Sequence, residues 1–209
     1  MNATGCPITL LPPPAPGGKI IRKGGENMSI VLNILTPIKS YVAYDGRARR
    51  NGRIVNEYVK KADMVNDFVC VGFTGILELA SDVLRILRNN VVGIEEMRSN
   101  TVAVAVQTIL KLPNAPKFSG VFLITGFNDA GQMASYTIDS QLSIQGFVAS
   151  KSDYRLIQLG GDNCPISFAD FCASNAHGQG EKAIMDEFIK YAALYDDSVN
   201  SNVKFITIS

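Results

Sequence analysis

The stretch SIVLNILTPIKSYVAYDGR, residues 29–47, decides how this chain reads. Ser29 to Thr36 is an apolar, β-branched run stopped by Pro37, and Tyr41 to Asp45 is a second short strand. The four residues between them, Pro37 to Ser40, are enough for a tight turn, so the two runs predict a β-hairpin. Beyond it, Arg47 to Arg53 is basic and closes on Asn51-Gly52, a strong turn signal. Ile54 to Lys60 alternates and reads as a third strand, and Asp67 to Phe73 is a mostly apolar run of buried-strand type.

Gly75 then opens a helix, with Ile76, Leu79, Ala80, Val83, Leu84 and Leu87 at helical spacing up to Asn89-Asn90. A second helical stretch runs from Ile94 to Leu112, before Pro113. Val121 to Thr125 and Gln132 to Ile138 flank a glycine-bearing loop and predict another hairpin. Ile144 to Ala149 and Tyr154 to Gln158 read as strands, Glu181 to Tyr195 as a helix, and Val203 to Ile208 as a last strand. Strands grouped with strands predict an α+β class, with antiparallel sheets and helices layered outside them.

The chain has 209 residues, 46% of them hydrophobic and 19% charged, which suits one globular domain with a sizeable core. A formal net charge of +1 gives no argument for nucleic acid or a membrane surface as partner. No apolar run reaches bilayer length, so a soluble, cytoplasmic protein is expected. The four cysteines, Cys6, Cys70, Cys164 and Cys172, form no zinc-type spacing and read as small core residues of a reduced chain. No metal and no cofactor is expected. The single histidine, His177, lies in a polar stretch and reads as a loop or helix-end residue.

Residues 1–27 are crowded with proline and glycine and show neither helical nor strand periodicity. The codons for Lys23-Gly24-Gly25-Glu26 can spell a purine-rich ribosome-binding sequence a short spacer before the codon for Met28. The expectation is that translation starts at Met28, with residues 1–27 an untranslated leader read as protein and residues 28–209 the folded domain. A disordered linker or a cleaved propeptide is the competing account.

Counted from Ser29, Asp45 lies 16 positions on, Lys61 32 and Gly75 46. They fall at the end of the second strand, at the end of the third, and at the strand-to-helix corner. A serine hydroxyl needs a base within reach, and a chain-terminal serine carries one in its own α-amino group, whose ordinary pKa of about 7.7–8.0 suits that task. A nearby ammonium, Lys61, biases that amine towards its neutral form. Asp45 would hold the lysine charged and oriented. The N–H of Gly75 at a helix start could stabilise an oxyanion.

In this register the chain resembles proteasome β subunits and their bacterial HslV-like relatives, which are N-terminal-nucleophile hydrolases. That family begins its mature chain with Thr or Ser on a strand and carries Asp-x-Arg, Lys and Gly at the matching points. Here these are Ser29, Asp45-Gly46-Arg47, Lys61 and Gly75, without a gap. The segment GFNDAGQMASYTID, residues 126–139, is similar to the family's central hairpin. The resemblance implies a four-layer αββα sandwich of two antiparallel sheets flanked by helices. It also implies a peptidase or amidase working through an acyl-Ser29 intermediate once Met28 is gone, a homo-oligomeric ring, peptide or protein substrates, and an ATP-dependent unfoldase as a possible partner. Arg47, Gly161, Asp162, Asp196 and Asp197 fall where supporting residues belong, and Arg49, Phe73 and Leu77 where a substrate pocket would.

Three departures stand beside the match. Ile30 follows the nucleophile where many relatives have a second Thr. The turn Leu159-Gly160-Gly161-Asp162-Asn163 lacks the family's serine, and Asp196-Asp197-Ser198-Val199-Asn200 leaves the register of the supporting Asp open. The shell around the amine is therefore either rebuilt around Asp162 or Asp197, or incomplete. Two other functions share the fold: a catalytically inactive ring or scaffold subunit, like the family's α-type members, and amide transfer to an amine acceptor.

Overall fold

The computed structural model describes residues 29–50, 53–113, 118–150, 154–175 and 178–209. The leader and Met28, the Asn51-Gly52 turn, Cys6 and His177 lie outside them.

The sequence run from Ser29 forms the expected hairpin. β1 (Ile30–Leu35) and β2 (Ser40–Tyr44) pair antiparallel around a turn in which the Thr36 N–H donates to the Lys39 carbonyl. Next come β3 (Ala48–Arg50), β4 (Arg53–Asn56), β5 (Ala62–Asn66) and β6 (Val69–Gly75). Helices α1 (Leu77–Asn90) and α2 (Ser99–Leu110) lead to β7 (Gly120–Phe127), β8 (Met133–Ile138), β9 (Ile144–Val148) and β10 (Arg155–Gly160). Helices α3 (Phe168–Asn175) and α4 (Glu181–Ala192) precede β11 (Lys204–Ile208).

Two larger sheets result, with strand orders β10-β1-β2-β11 and β5-β6-β7-β8-β9, and β3 pairs with β4 alone. Every pairing is antiparallel. The period-2 geometry of a strand explains why β1 and β6 read as mostly apolar runs. Ile30, Leu32 and Ile34 pack with Phe168, Phe188 and Ile189 of α3 and α4, whereas Val31 and Leu35 share a second cluster with Cys70 of β6, Leu123 of β7 and Met133 of β8. On the other sheet Val69, Val71 and Phe73 pack with Leu79, Val83 and Leu87 of α1 and with Val102 and Val106 of α2. The two faces of β1 and of β6 are thus largely apolar for separate reasons.

Four expectations are corrected. Ile54 to Lys60 is not one strand: β4 stops at Asn56 and pairs with β3, which the basic stretch had concealed. Lys61 does not end a third strand but stands one residue before β5, an element that read as nothing because Ala62–Asn66 is only partly buried. The second helix starts at Ser99, not Ile94: residues 92–96 are turns, in which the Glu96 N–H donates to the Gly93 carbonyl and the Met97 N–H to the Ile94 carbonyl. Helix α3 was not expected at all. Among the described residues no helix is long and apolar enough to cross a membrane.

Candidate active site

Asp45 follows β2 and is fully buried, and its carboxylate collects donors from four directions. Oδ1 accepts from the Ile30 N–H at 2.9 Å and from Lys61 Nζ at 2.6 Å. Oδ2 accepts from the Arg47 N–H at 2.9 Å and from the Asn200 N–H at 3.3 Å. The Asp45 N–H also returns to the Ile30 carbonyl at 3.3 Å. A carboxylate so surrounded is fixed in place, and the residue it grips on β1 is the one immediately after Ser29. Lys61 and the N–H of Ile30, the residue after the candidate nucleophile, therefore share one carboxylate oxygen.

Lys61 is one of the largest fully buried side chains, 2% exposed. Burial pushes its pKa below the ordinary lysine value, and the charge and hydrogen bond of Asp45 oppose that shift. Such a pair survives away from water because each ion meets its partner at hydrogen-bond distance. The Lys61 carbonyl accepts from the Phe73 N–H at 2.9 Å, tying it to β6, and Gly75 ends that strand at the corner into α1. Gly75 has φ 105°, and a Cβ there would lie 2.1 Å from the Ser119 carbonyl oxygen, so no other residue fits the corner.

Ser29 is 8% exposed. Ile30 opposes Gly160 across the β1/β10 ladder. A Cβ on Gly160, whose φ is 74°, would lie 1.7 Å from the Ser29 carbonyl oxygen. Gly161 is left-handed as well and packs against the Ile30 side chain, with Asp162 next in the same turn. The glycines thus let the turn that lacks the family's serine close directly on Ser29.

The segment 196–200 closes another side. Arg47 Nη1 donates to the carbonyls of Asp197 (2.7 Å) and Val199 (3.0 Å), and its guanidinium pairs with Glu57. Arg49 Nη1 meets Asp197 Oδ1 at 2.5 Å. Asp196 is buried and its Oδ1 accepts from the Ser198 N–H (2.9 Å) and hydroxyl (2.5 Å), while its Oδ2 has no partner among the described residues. The pocket candidates are dispersed: Phe73 packs 6.2 Å from Phe122 in the core beneath α1, Leu77 borders that core, and Arg49 is on β3.

Asn200 and Glu57 are the residues sequence reasoning missed. Asn200 Oδ1 accepts from the Gly46 N–H at 3.0 Å, and its Nδ2 donates to the Glu57 carbonyl at 3.0 Å and to the Glu57 carboxylate. Glu57 has Arg47 ten positions away, but what ties both residues to the site is the set of Asn200 contacts, whose partners lie more than 140 positions away in sequence.

No group of His, Cys, Asp and Glu among the described residues is placed to hold a metal ion. No family model matches the sequence, and no curated protein does. Among solved structures, the crystal structure of a eukaryotic HslV from Trypanosoma brucei is similar with a TM-score of 0.59, over 85% of this chain and 98% of that one, at 15% identity. The likeness is one of fold: this chain has an HslV-like fold of antiparallel sheets with helices.

Proposed function

We propose that this chain is a proteasome-type peptidase or amidase whose nucleophile is Ser29, made terminal by removal of the residues before it. The observation that carries this reading is the shared Asp45 Oδ1, which receives both Lys61 Nζ and the N–H of the residue after Ser29. The desolvation cost of a charge pair this deeply buried makes it a weak source of stability, which favours a placement role, and here it points at one end of β1.

The Ser29 α-amine takes the proton of its own hydroxyl as Oγ bonds to the substrate carbonyl carbon. The Gly75 N–H, at the corner before α1, stabilises the oxyanion. On collapse the C–N bond breaks and the leaving nitrogen takes the proton from the α-ammonium, leaving an acyl ester on Ser29. Water, activated by the same amine, then releases the acid; an amine in place of water would give transfer instead. Lys61 keeps the α-amine biased towards its proton-accepting form, and Arg47, Asn200 and Glu57 hold Asp45 and the strand end. Gly161, Asp162, Asp196 and Asp197 are the groups proposed to support the amine, and Arg49, Phe73 and Leu77 those proposed to line the substrate pocket. The three apolar clusters support a four-layer αββα order, and the resemblance supports assembly into a ring.

The test is N-terminal sequencing of the purified protein, followed by a bifunctional electrophile that bridges the hydroxyl and amine of one residue. One adduct on Ser29, lost in Ser29→Ala, is the expected result. A folded protein that begins at Ser29 and takes no adduct would instead be the non-catalytic ring subunit.

A further inference from the structure

The apolar core between the two larger sheets contains a closed circle of polar side chains. Asn33 of β1 donates from Nδ2 to Ser40 Oγ of β2 at 2.7 Å. Ser40 Oγ lies 2.8 Å from Thr125 Oγ1 of β7, which lies 2.7 Å from Ser135 Oγ of β8. The Ser135 hydroxyl donates back to Asn33 Oδ1 at 2.8 Å. Each hydroxyl can donate once and accept once in the same sense around the ring, so every bond reinforces the next. All four side chains are fully buried. The second proton of Asn33 Nδ2 goes to the Tyr41 carbonyl at 3.0 Å, while the Ala134 carbonyl, 3.2 Å from Thr125 Oγ1, competes with Ser135 Oγ for the single Thr125 proton.

Two members belong to one sheet and two to the other. The candidate site is divided in the same way: Ser29 and Asp45 flank β1 and β2, whereas Lys61 and Gly75 belong with β5 and β6. The apolar neighbours Val31, Leu35, Val42, Leu123 and Met133 supply attraction without direction, so alone they would let one sheet slide over the other. The Asp45–Lys61 pair fixes a single point and leaves rotation about it free. Asn33 is four residues from Ser29, about 13 Å along an extended strand, and a second directional link at that distance removes the rotation.

We propose that the Asn33, Ser40, Thr125 and Ser135 ring is the positioning element that locks the two sheets in register and thereby sets Lys61 against Asp45 beside Ser29. The inference rests on the reading of Ser29 as nucleophile for its kinetic consequence, but not for its geometric one. These four are positioning residues and touch no substrate.

The test compares Thr125→Val, nearly equal in volume but without the hydroxyl, with Thr125→Ser, which keeps it. Ser40→Ala is the milder opening of the ring should Thr125→Val fail to fold, since Asn33 keeps its bond to the Tyr41 carbonyl. Each is made in the full chain. Two quantities are read well below the melting temperature: the NMR titration of Lys61 Nζ, and the maximal labelling rate with half-saturation of the bifunctional electrophile, scored per molecule that begins at Ser29. The expected result is a displaced Lys61 titration and a maximal rate lower by about 10-fold to 100-fold at unchanged half-saturation in Thr125→Val or Ser40→Ala, with Thr125→Ser like the parent. If the parent takes no label while Lys61 still titrates differently in the opened-ring variants alone, the nucleophile reading falls and the positioning role stands. A lower melting temperature with Lys61 titration and labelling both unchanged would overturn the proposal, leaving the ring as packing.

Discussion

Lys61 reaches Asp45 from the opposite sheet, Nζ to Oδ1, at 2.6 Å with both side chains out of contact with water. Lys61 is anchored to β6 through its carbonyl, whereas Asp45 is anchored to β1 through the Ile30 N–H. The ion pair is therefore a tertiary strut as well as a candidate catalytic unit, and the two roles separate experimentally.

Asp45→Asn leaves the Lys61 charge buried without a counter-ion. It is expected to lower stability by about 3–5 kcal/mol, whereas Asp45→Asn combined with Lys61→Met recovers a large part of the loss. Urea unfolding of the three proteins checks this. A double variant no more stable than the single one would show that the Asp45 hydrogen bonds to backbone, not the ion pair, carry the effect.

Threonine at position 29 brings a γ-methyl that restricts χ1. Freezing one of three staggered wells is worth at most about 3-fold in rate, so Ser29→Thr should acylate up to about 3-fold faster than the parent after identical processing. Single-turnover kinetics on both processed chains measure it, and a slower threonine variant contradicts the expectation.

Gly160→Ala places a methyl against the Ser29 carbonyl. Strain of about 1–3 kcal/mol is expected, together with a fall of about 100-fold in Ser29 labelling as the serine is pushed aside. Gly93→Ala is the matched control, because Gly93 is left-handed too but nothing lies within 4 Å of the added carbon. It should cost stability and leave labelling intact. Equal labelling in the two variants would disprove the contact's importance.

Burial raises the Cys70 thiol, pushes the Cys172 thiol up to about 12 and pushes the Tyr44 hydroxyl up to about 12. Raised folded-state values mean stability that is complete below the unfolded values of 9.0 for cysteine and 10.0 for tyrosine and is lost as pH climbs towards the folded ones. Lys61 acts in the opposite sense: its depressed value imposes a cost at low pH that is relieved as pH approaches 10.5. Tyr41, Tyr136, Tyr154, Cys164 and Tyr191 are raised as well, so the raised groups outnumber the one depressed lysine and the urea midpoint under reducing conditions should fall above about pH 9, and less steeply in Cys70→Ala. A midpoint flat to about pH 11 would refute this.

The hairpin β1–β2 and helix α1 were readable because local signals and tertiary burial agree there: Pro37 breaks the run, and the buried stripe Leu79, Ala80, Val83, Leu84 and Leu87 keeps helical spacing. The contact of Asp45 with Lys61 was readable only through a spacing matched to a family, not through anything local. Strand β5 was hidden because a short edge strand needs little apolar side chain. Helix α3 carried a usable signal that went unread, the Ser167-x-x-Asp170 box, in which the Ser167 hydroxyl bonds the Asp170 carboxylate at 2.6 Å and accepts from the Asp170 N–H at 3.1 Å. Asn200 could not be found this way, since its meaning comes wholly from the other end of the fold.

That long reach governs when the site can exist. β11 joins β2 at the edge of its sheet, and the Asn200 N–H meets Asp45 from 155 positions away. Pairings this distant in sequence close slowly, and synthesis delivers Ser29 long before Asn200. A nascent chain halted before Asn200 emerges should lack the hydrogen-exchange protection of the Gly46 amide that the released protein shows, Gly46 being a donor to Asn200. The proposed nucleophile is thus born early into an unfinished surrounding, and its enclosure waits on translation past Asn200.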